Sequence, residues 1–183
     1  MTNKQLDLCI NEIAAGNREA FRQLYDELKN PIFLFALSLS HDYQTAEDVE
    51  QETFLNIMQC ASKYRIGTNA KAWIFGIARN CCADKYKAAS RYVPLEPDIL
   101  SSFPNEEKEF NRVENSIIAL EALSILDESE REIVSLYLFC DLKQTEIAKL
   151  LKISYSSVRA KYAYAIKKLK RYFKNKGVFI YDE

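Results

Sequence analysis

Residues 142–159 read Leu142-Lys143-Gln144-Thr145-Glu146-Ile147-Ala148-Lys149-Leu150-Leu151-Lys152-Ile153-Ser154-Tyr155-Ser156-Ser157-Val158-Arg159, and the helical pattern runs on to Arg171. This is the spacing of a helix-turn-helix. Ala148 supplies the small residue needed where two helices cross, the turn lies four residues on at Lys152, and Val158, ten residues past Ala148, locks the second helix onto the first. Ser154 caps that second helix, Tyr155 to Arg171. Its first turn offers Tyr155, Ser156, Ser157 and Arg159 to major-groove base edges, with Lys152, Ser154, Lys161 and Tyr162 beside them. Lys161 and the run Lys167, Lys168, Lys170, Arg171 suit phosphates. Two positions depart from the ideal. Lys143 stands where a Ser or Thr cap is usual, a loss of about 1 kcal/mol, and Lys152 occupies a turn position that glycine fills more easily.

Charge separates into blocks along the chain, although the net charge of the whole is only -1. Residues 1–62 carry a net -6, 63–91 a net +6, 92–132 a net -8 and 133–176 a net +9, with Asp182 and Glu183 in the last seven residues. The last basic block, eleven bases against two acids, coincides with the helix-turn-helix. A solvated basic face on an amphipathic hairpin would share that composition but has no need of the Ala148–Val158 spacing. Two basic segments separated by acidic ones predict two distinct anion-binding surfaces.

Upstream, helices are predicted nearly throughout. Leu6, Ile10, Ile13 and Ala14 share one face before Gly16-Asn17 interrupts, and a second helix follows with Ala20, Phe21, Leu24, Tyr25 and Leu28 as its apolar positions. Asn30-Pro31 then reads as a cap and first-turn proline opening a third helix through Leu39, and Thr45 with Asp48 as a capping box opening a fourth, Ala46 to about Ala61. After a polar loop, Ser62 to about Ala70, a helix from Lys71 to about Arg91 buries Trp73, Ile74, Ile77 and Ala78. Periodicity breaks from Val93 to about Glu109, where Pro94, Pro97, Pro104, two serines and five acids mark a linker. Beyond it Val113, Ile117, Leu120, Leu123 and Leu126 recur at helical spacing, and Asp127 with Glu130 makes a capping box ahead of Ile133, Val134 and Leu136 to Leu138. Only Val178 to Tyr181 hints at a strand. The expected fold is all-α: two small helical bundles joined by an acidic linker, the second containing the helix-turn-helix, with bounds 1–92, 93–110, 111–176 and a tail at 177–183.

The 183 residues suffice for one ordinary domain or two small ones, and 48% hydrophobic with 28% charged residues is a globular composition. No apolar run reaches the roughly 20 residues of a membrane span, and the N-terminal Met-Thr-Asn-Lys-Gln-Leu-Asp lacks a signal peptide's apolar stretch, so a cytoplasmic chain without membrane insertion is expected. Cys9, Cys60, Cys81, Cys82 and Cys140 contain no C-x-x-C pair, and His41 is the lone histidine. These read as buried free thiols rather than metal ligands, with Cys81-Cys82 the pair to test; no metal and no cofactor are expected.

Two further stretches carry a family resemblance. Thr45-Ala46-Glu47-Asp48-Val49-Glu50-Gln51-Glu52-Thr53-Phe54-Leu55, followed by Lys71-Ala72-Trp73-Ile74-Phe75-Gly76-Ile77-Ala78-Arg79-Asn80, resembles the first domain of bacterial sigma factors of the extracytoplasmic-function (ECF) group of the sigma-70 family. Leu126-Asp127-Glu128-Ser129-Glu130-Arg131-Glu132-Ile133-Val134, with Glu146-Ile147-Ala148, is similar to that family's final domain. The resemblance covers about residues 18 to 172.

It implies a promoter-recognition subunit with no catalytic residues, working with RNA polymerase core and promoter DNA. The first domain would dock on the coiled coil of the polymerase largest subunit through Glu47, Asp48, Glu50, Gln51 and Phe54. An acidic, polar helix fits a basic protein surface, although the helix dipole would favour the same acids on a solvated helix. These acids sit around a helix rather than converging, which disfavours a metal-dependent nucleic-acid enzyme. Tyr64, Arg65, Lys71, Asn80, Asp84 and Lys87 would hold the single-stranded −10 element and capture an extruded base. Aromatic faces among bases suit single strands, and Tyr64, in the loop, is the better stacking candidate than Trp73 or Phe75, whose helical positions suit the core. The family often has an arginine one turn beyond the aspartate; Tyr86 and Lys87 stand there instead. The helix-turn-helix would read duplex −35 DNA. The acidic linker fits either a strand threading a basic polymerase channel or a solvated tether. Family habit adds an anti-sigma partner that no residue identifies. The alternative is a stand-alone helix-turn-helix regulator, for which the acidic helix has no evident use.

Overall fold

Proline usually ends a helix, and Pro31 does not. In the computed structural model, which describes residues 1–89 and 120–177, α2 runs unbroken from Arg18 to Ser40 with Pro31 inside it. The predicted break at Asn30-Pro31 is therefore corrected. An interior proline forfeits one backbone hydrogen bond and costs about 3 kcal/mol. Against this, the stripe Leu24, Leu28, Ile32, Phe35, Ala36 continues across the proline and is buried along its whole length. Each fully buried large apolar side chain contributes roughly 1.5–3 kcal/mol, so the continuous face outweighs the defect.

The chain divides into two compact units, Met1–Ser102 and Phe103–Glu183. In the first, α1 (Asn3–Ala14) is opened by a capping box between Thr2 and Gln5 and buries Leu6, Cys9, Ile10 and Ile13; Ala14, expected on that face, is exposed. Gly16, at φ +86°, makes the turn into α2, whose first amides donate to the Asn17 side chain. His41 in the left-handed conformation closes α2. Next, α3 (Tyr43–Cys60) begins three residues before the predicted start, because Asp42, not Thr45, is its cap: the Asp42 carboxylate accepts the Thr45 N–H at 2.7 Å. A short 3-10 turn (Ala61–Lys63) and a loop lead to α4 (Ala70–Ala89). Helices α1, α3 and α4 all pack on α2. Phe35 meets Phe75 edge-on at 5.9 Å at the centre of this core, with Ile32, Ile57 and Ile74 fully buried.

The second unit starts, within the described residues, with a helical stretch at 120–124 that buries Leu120, Ala122 and Leu123. The predicted box is present: Asp127 accepts the Glu130 N–H at 2.9 Å and Glu130 accepts the Asp127 N–H at 3.1 Å. It opens α5 (Glu128–Leu138), of which Leu136 is buried and Leu138 exposed. Arg131 turns back to donate to the carbonyls of Leu123 and Leu126 at 3.1 and 2.8 Å, satisfying the end of the preceding helical stretch. Then come α6 (Gln144–Leu151) and α7 (Tyr155–Asn175). Ala122, Leu123, Leu126 and Val134 pack with Ala165 and Leu169 of α7. The all-α reading holds, and no strand occurs among the described residues. The linker at 93–109, the helical positions Val113 and Ile117, the end of α4 at Arg91 and the strand hint at Val178–Tyr181 lie outside them.

Candidate nucleic-acid interface

The helix-turn-helix is built as the spacing requires. Ala148 is nearly buried where α6 meets α7, and Val158 is fully buried beneath them. Lys143 gives α6 no capping oxygen, but the Glu146 carboxylate accepts the Lys143 N–H at 2.8 Å, so half of a capping box remains. Lys152 takes the left-handed conformation (φ 56°), and the Ile153 N–H reaches back to the Ala148 carbonyl at 3.1 Å. That closure satisfies the end of α6 at the cost of placing a side chain where glycine is at ease. Ser154 caps α7 by accepting the Ser157 N–H at 3.1 Å.

Lys152, Ser154, Tyr155, Ser156 and Arg159 form the exposed surface of this turn and helix start. Other residues expected to touch DNA are committed inside the unit. Ser157 is half-buried and Tyr162 lies against the Tyr137 ring at 4.8 Å, where burial raises its hydroxyl pKa. Lys161 donates to the Ser129 hydroxyl at 2.7 Å, and Lys168 to the buried Glu130 carboxylate at 2.7 Å. These two lysines fasten α7 to the start of α5. Nothing in the local spacing shows pairings 32 and 38 residues apart, which is why both lysines read as phosphate contacts. Lys167 and Arg171 are exposed.

The first unit carries the second basic segment. Tyr64 is not the open stacking platform that its loop position suggested: it is buried, its ring 5.0 Å from Trp73, and its hydroxyl donates to Asp7. Burial and the Asp7 carboxylate push the Tyr64 hydroxyl up to about 12, so it stays a protonated donor. Arg65 and Ile66 form the exposed tip of the loop instead, with Gly67 at φ +82° turning the chain between them and Thr68. On α4, Asn80, Asp84 and Lys87 are exposed, Lys87 lying 3.6 Å from Asp84, while Lys71 and Trp73 are half-buried and Phe75 is buried. Ile77, expected in the core, is only half-buried; Cys81 and Cys82 take the buried positions further on, and Asn56 lies 3.3 Å from the Cys81 sulfur.

The acidic face of α3 is displayed more narrowly than expected. Asp48 and Gln51 are exposed and Glu47 and Glu50 half-buried. Burial raises the Glu50 carboxyl pKa, with a hydrogen bond from Tyr25 opposing the shift. Phe54 is corrected from docking surface to core: it is 3% exposed, with its ring 4.7 Å from Tyr25 and 6.1 Å from Phe21. Leu55 and Met58 are exposed in its place, at 52% and 44%. The signal for them was available, since Gln51, Leu55 and Met58 follow helical spacing along one stripe. Lys85 crosses from α4 to Asp48 at 3.1 Å and Glu52 at 3.9 Å.

Cys9, Cys81, Cys82 and Cys140 are buried free thiols and Cys60 is half-buried. Among the described residues, no three His, Cys, Asp or Glu side chains gather as a metal site would need, and no helix is long and apolar enough to cross a membrane.

A helical unit with a mixed basic and acidic surface, carried on one chain with a helix-turn-helix unit, defines a DNA-binding protein of transcription. Sigma-70 region 2 is matched by residues 24–92 and Sigma-70, region 4 by residues 122–171. The chain belongs to the ECF group of the sigma-70 family. It is 28% identical over 158 residues to the ECF RNA polymerase sigma factor SigM of Bacillus subtilis, covering 85% of this chain and 96% of that protein. To the ECF RNA polymerase sigma factor SigL of Mycobacterium tuberculosis it is 28% identical over 174 residues, 92% of this chain and 97% of the relative. In fold it is similar to CnrH, solved in complex with the cytosolic domain of CnrY (TM-score 0.71, 23% identity, 93% of this chain and 98% of that one). It is similar also to the sigma factor RpoE of Bartonella quintana, solved with the anti-sigma factor NepR (TM-score 0.64, 22% identity, 84% and 96%).

Proposed function

We infer that this chain directs RNA polymerase core to specific promoters and assists promoter melting. The observation that carries the reading is the presence, in order on one chain, of sigma-70 regions 2 and 4, the latter with an intact helix-turn-helix. The exposed surface Lys152, Ser154, Tyr155, Ser156 and Arg159 would read the −35 duplex, because a helix start entering the major groove puts its first exposed residues on base edges. Arg65 with Asn80, Asp84 and Lys87 would hold the single-stranded −10 element. Asp48 and Gln51, with the exposed apolar Leu55 and Met58, would dock on polymerase, a mixture of apolar and charged contacts typical of protein interfaces.

Extruding a base costs a few kcal/mol, which contacts to both polymerase and strand would offset. Melting therefore belongs to the holoenzyme, and this chain performs no chemistry of its own. Such a role places it in the cytoplasm with the polymerase. An inhibitory anti-sigma partner, of the kind that accompanies RpoE, is part of the same proposal. A stand-alone duplex-binding regulator leaves the first unit, with its region 2 match, without a task. Run-off transcription with core polymerase tests the reading: promoter-dependent product only when this chain is added supports it, and product independent of the chain refutes it.

A further inference from the structure

The loop that follows α3 is shaped by a helix far from it in sequence. On α1, Asn3 and Asp7 stand four residues apart, one turn along the same edge. The Asp7 carboxylate holds two points of the loop: one oxygen accepts the Tyr64 hydroxyl and the other the Gly67 N–H at 3.3 Å. Asn3 accepts the Lys71 N–H at 3.1 Å, while Asn69 accepts that of Ala72 at 2.9 Å, so two side chains satisfy the open amides of the first turn of α4. Within the loop, Thr68 returns its N–H and its hydroxyl to the Arg65 carbonyl, at 3.3 and 2.8 Å. Tyr64 packs on Trp73 beneath. The backbone from 64 to 71 is thus fixed from outside at Tyr64, Gly67 and Lys71. The side chains it exposes are those of Arg65, Ile66 and Thr68, and Thr68 is tied back to the Arg65 carbonyl, which leaves Arg65 and Ile66, the latter 60% exposed, as the side chains open to a ligand.

We propose that Asn3 and Asp7 of α1 are positioning residues for single-stranded DNA, holding the 64–69 loop in the shape that receives an unpaired base. The proposal rests on the −10 reading of this loop given above. It goes beyond that reading because α1 lies wholly outside the stretch matched to region 2, which begins at residue 24. The physical reason is preorganisation. A loop ordered before binding spares the complex the ordering entropy that a free loop would lose. A carboxylate suits this task because it accepts two donors at once and each charge-assisted bond is stronger than a neutral one. Asp7 itself needs no contact with DNA, and its negative charge would make it a poor one. Tyr64, raised in pKa and protonated, serves here as a strut.

The test uses holoenzyme reconstituted from the full chain and core polymerase, on pre-melted promoter templates carrying either the normal base or an abasic site at the extruded −10 position. Wild type binds the intact template more tightly than the abasic one. D7A should lose at least on the order of tenfold of that preference, the low end of a single hydrogen bond to a charged group. It should retain its affinity for core and for a duplex −35 fragment. Y64F, which removes only the hydroxyl, should lose part of it, because the Gly67 N–H still reaches Asp7, and the D7A/Y64F double variant should lose less than the sum of the two single losses, since the two residues share the Tyr64–Asp7 contact. D7N, an isosteric variant that accepts from Gly67 but cannot satisfy both donors, should fall between. Wild-type preference in D7A overturns the proposal, as does a drop in thermal stability with the base-to-abasic ratio unchanged, because α1 would then be packing alone. If wild type itself shows no preference while R65A is equally indifferent, the −10 reading of the loop falls first and the proposal falls with it.

Discussion

Replacing Arg159 with alanine removes an exposed guanidinium from the first turns of α7 without touching its anchor. Val158 beside it is fully buried and Ser154 still caps the helix, so the fold should lose no more than about 0.5 kcal/mol. Arg159 lies four residues beyond the exposed Tyr155, about 6 Å further along the helix, on the face left open by the turn. A bidentate arginine contact to a guanine is worth about 1–3 kcal/mol, which is roughly 5- to 150-fold in Kd. If Arg159 instead holds a phosphate, the slope of log K against log salt falls by about 0.9 and every sequence suffers alike. The assay is fluorescence anisotropy of holoenzyme on a duplex −35 fragment at several salt concentrations, with a pre-melted template bearing only the −10 element as the control. We expect R159A to weaken the duplex interaction within that range, to relax preference at one base pair with little change in slope, and to leave the pre-melted interaction intact. Equal loss on both templates would refute the division of labour between the two units.

F54A should behave as a core deletion and not as an interface variant: it should lower the stability of the first unit by about 3–5 kcal/mol, measured by denaturant unfolding, because Phe54 is buried against Phe21 and Tyr25. L55D, on the exposed stripe of the same helix, should leave unfolding nearly unchanged and weaken core-polymerase binding at least tenfold by competition assay, the scale of an interface residue worth about 1.4 kcal/mol. Burial raises the Glu50 carboxyl pKa, so its ionisation opposes folding as pH rises above the ordinary glutamate range; E50Q should therefore raise Tm at pH 7, and the gain should shrink as pH is lowered and Glu50 becomes protonated in both states. The Asp127 carboxyl is lowered instead, chiefly by the Glu130 N–H, so its contribution is present at pH 7 and is lost as pH falls through the depressed value. D127N should accordingly flatten the acid limb of the second unit's stability curve.

Where local physics decides, the residues spell out the outcome. Ala148, Val158, Ser154 and the Asp127–Glu130 box act within a few positions of themselves, and each sits as its spacing implies. Apart from the cap of α3, which is Asp42 and not Thr45, the main errors have the opposite character. Pro31 reads as a helix start because the rule for proline is local, while the burial that overrides it is spread over Leu24 to Ala36 and three partner helices. Phe54 reads as surface because it follows an acidic run; which face of α3 is inward depends on Phe21 and Tyr25 of α2. Tyr64, Lys161 and Lys168 look available for DNA until Asp7, Ser129 and Glu130 come alongside them from distant parts of each unit. A lysine's composition is the same whether it meets a phosphate or a buried carboxylate, so only the tertiary partner separates the two.

The most direct test of the central claim is run-off transcription with core polymerase, with and without this chain, on the same promoter as a closed duplex and as a template pre-melted at the −10 element. The proposed role predicts product on both templates only when the chain is present, with R159A impaired mainly on the duplex. Promoter-dependent product from core alone, or none when the chain is added to either template, would contradict it.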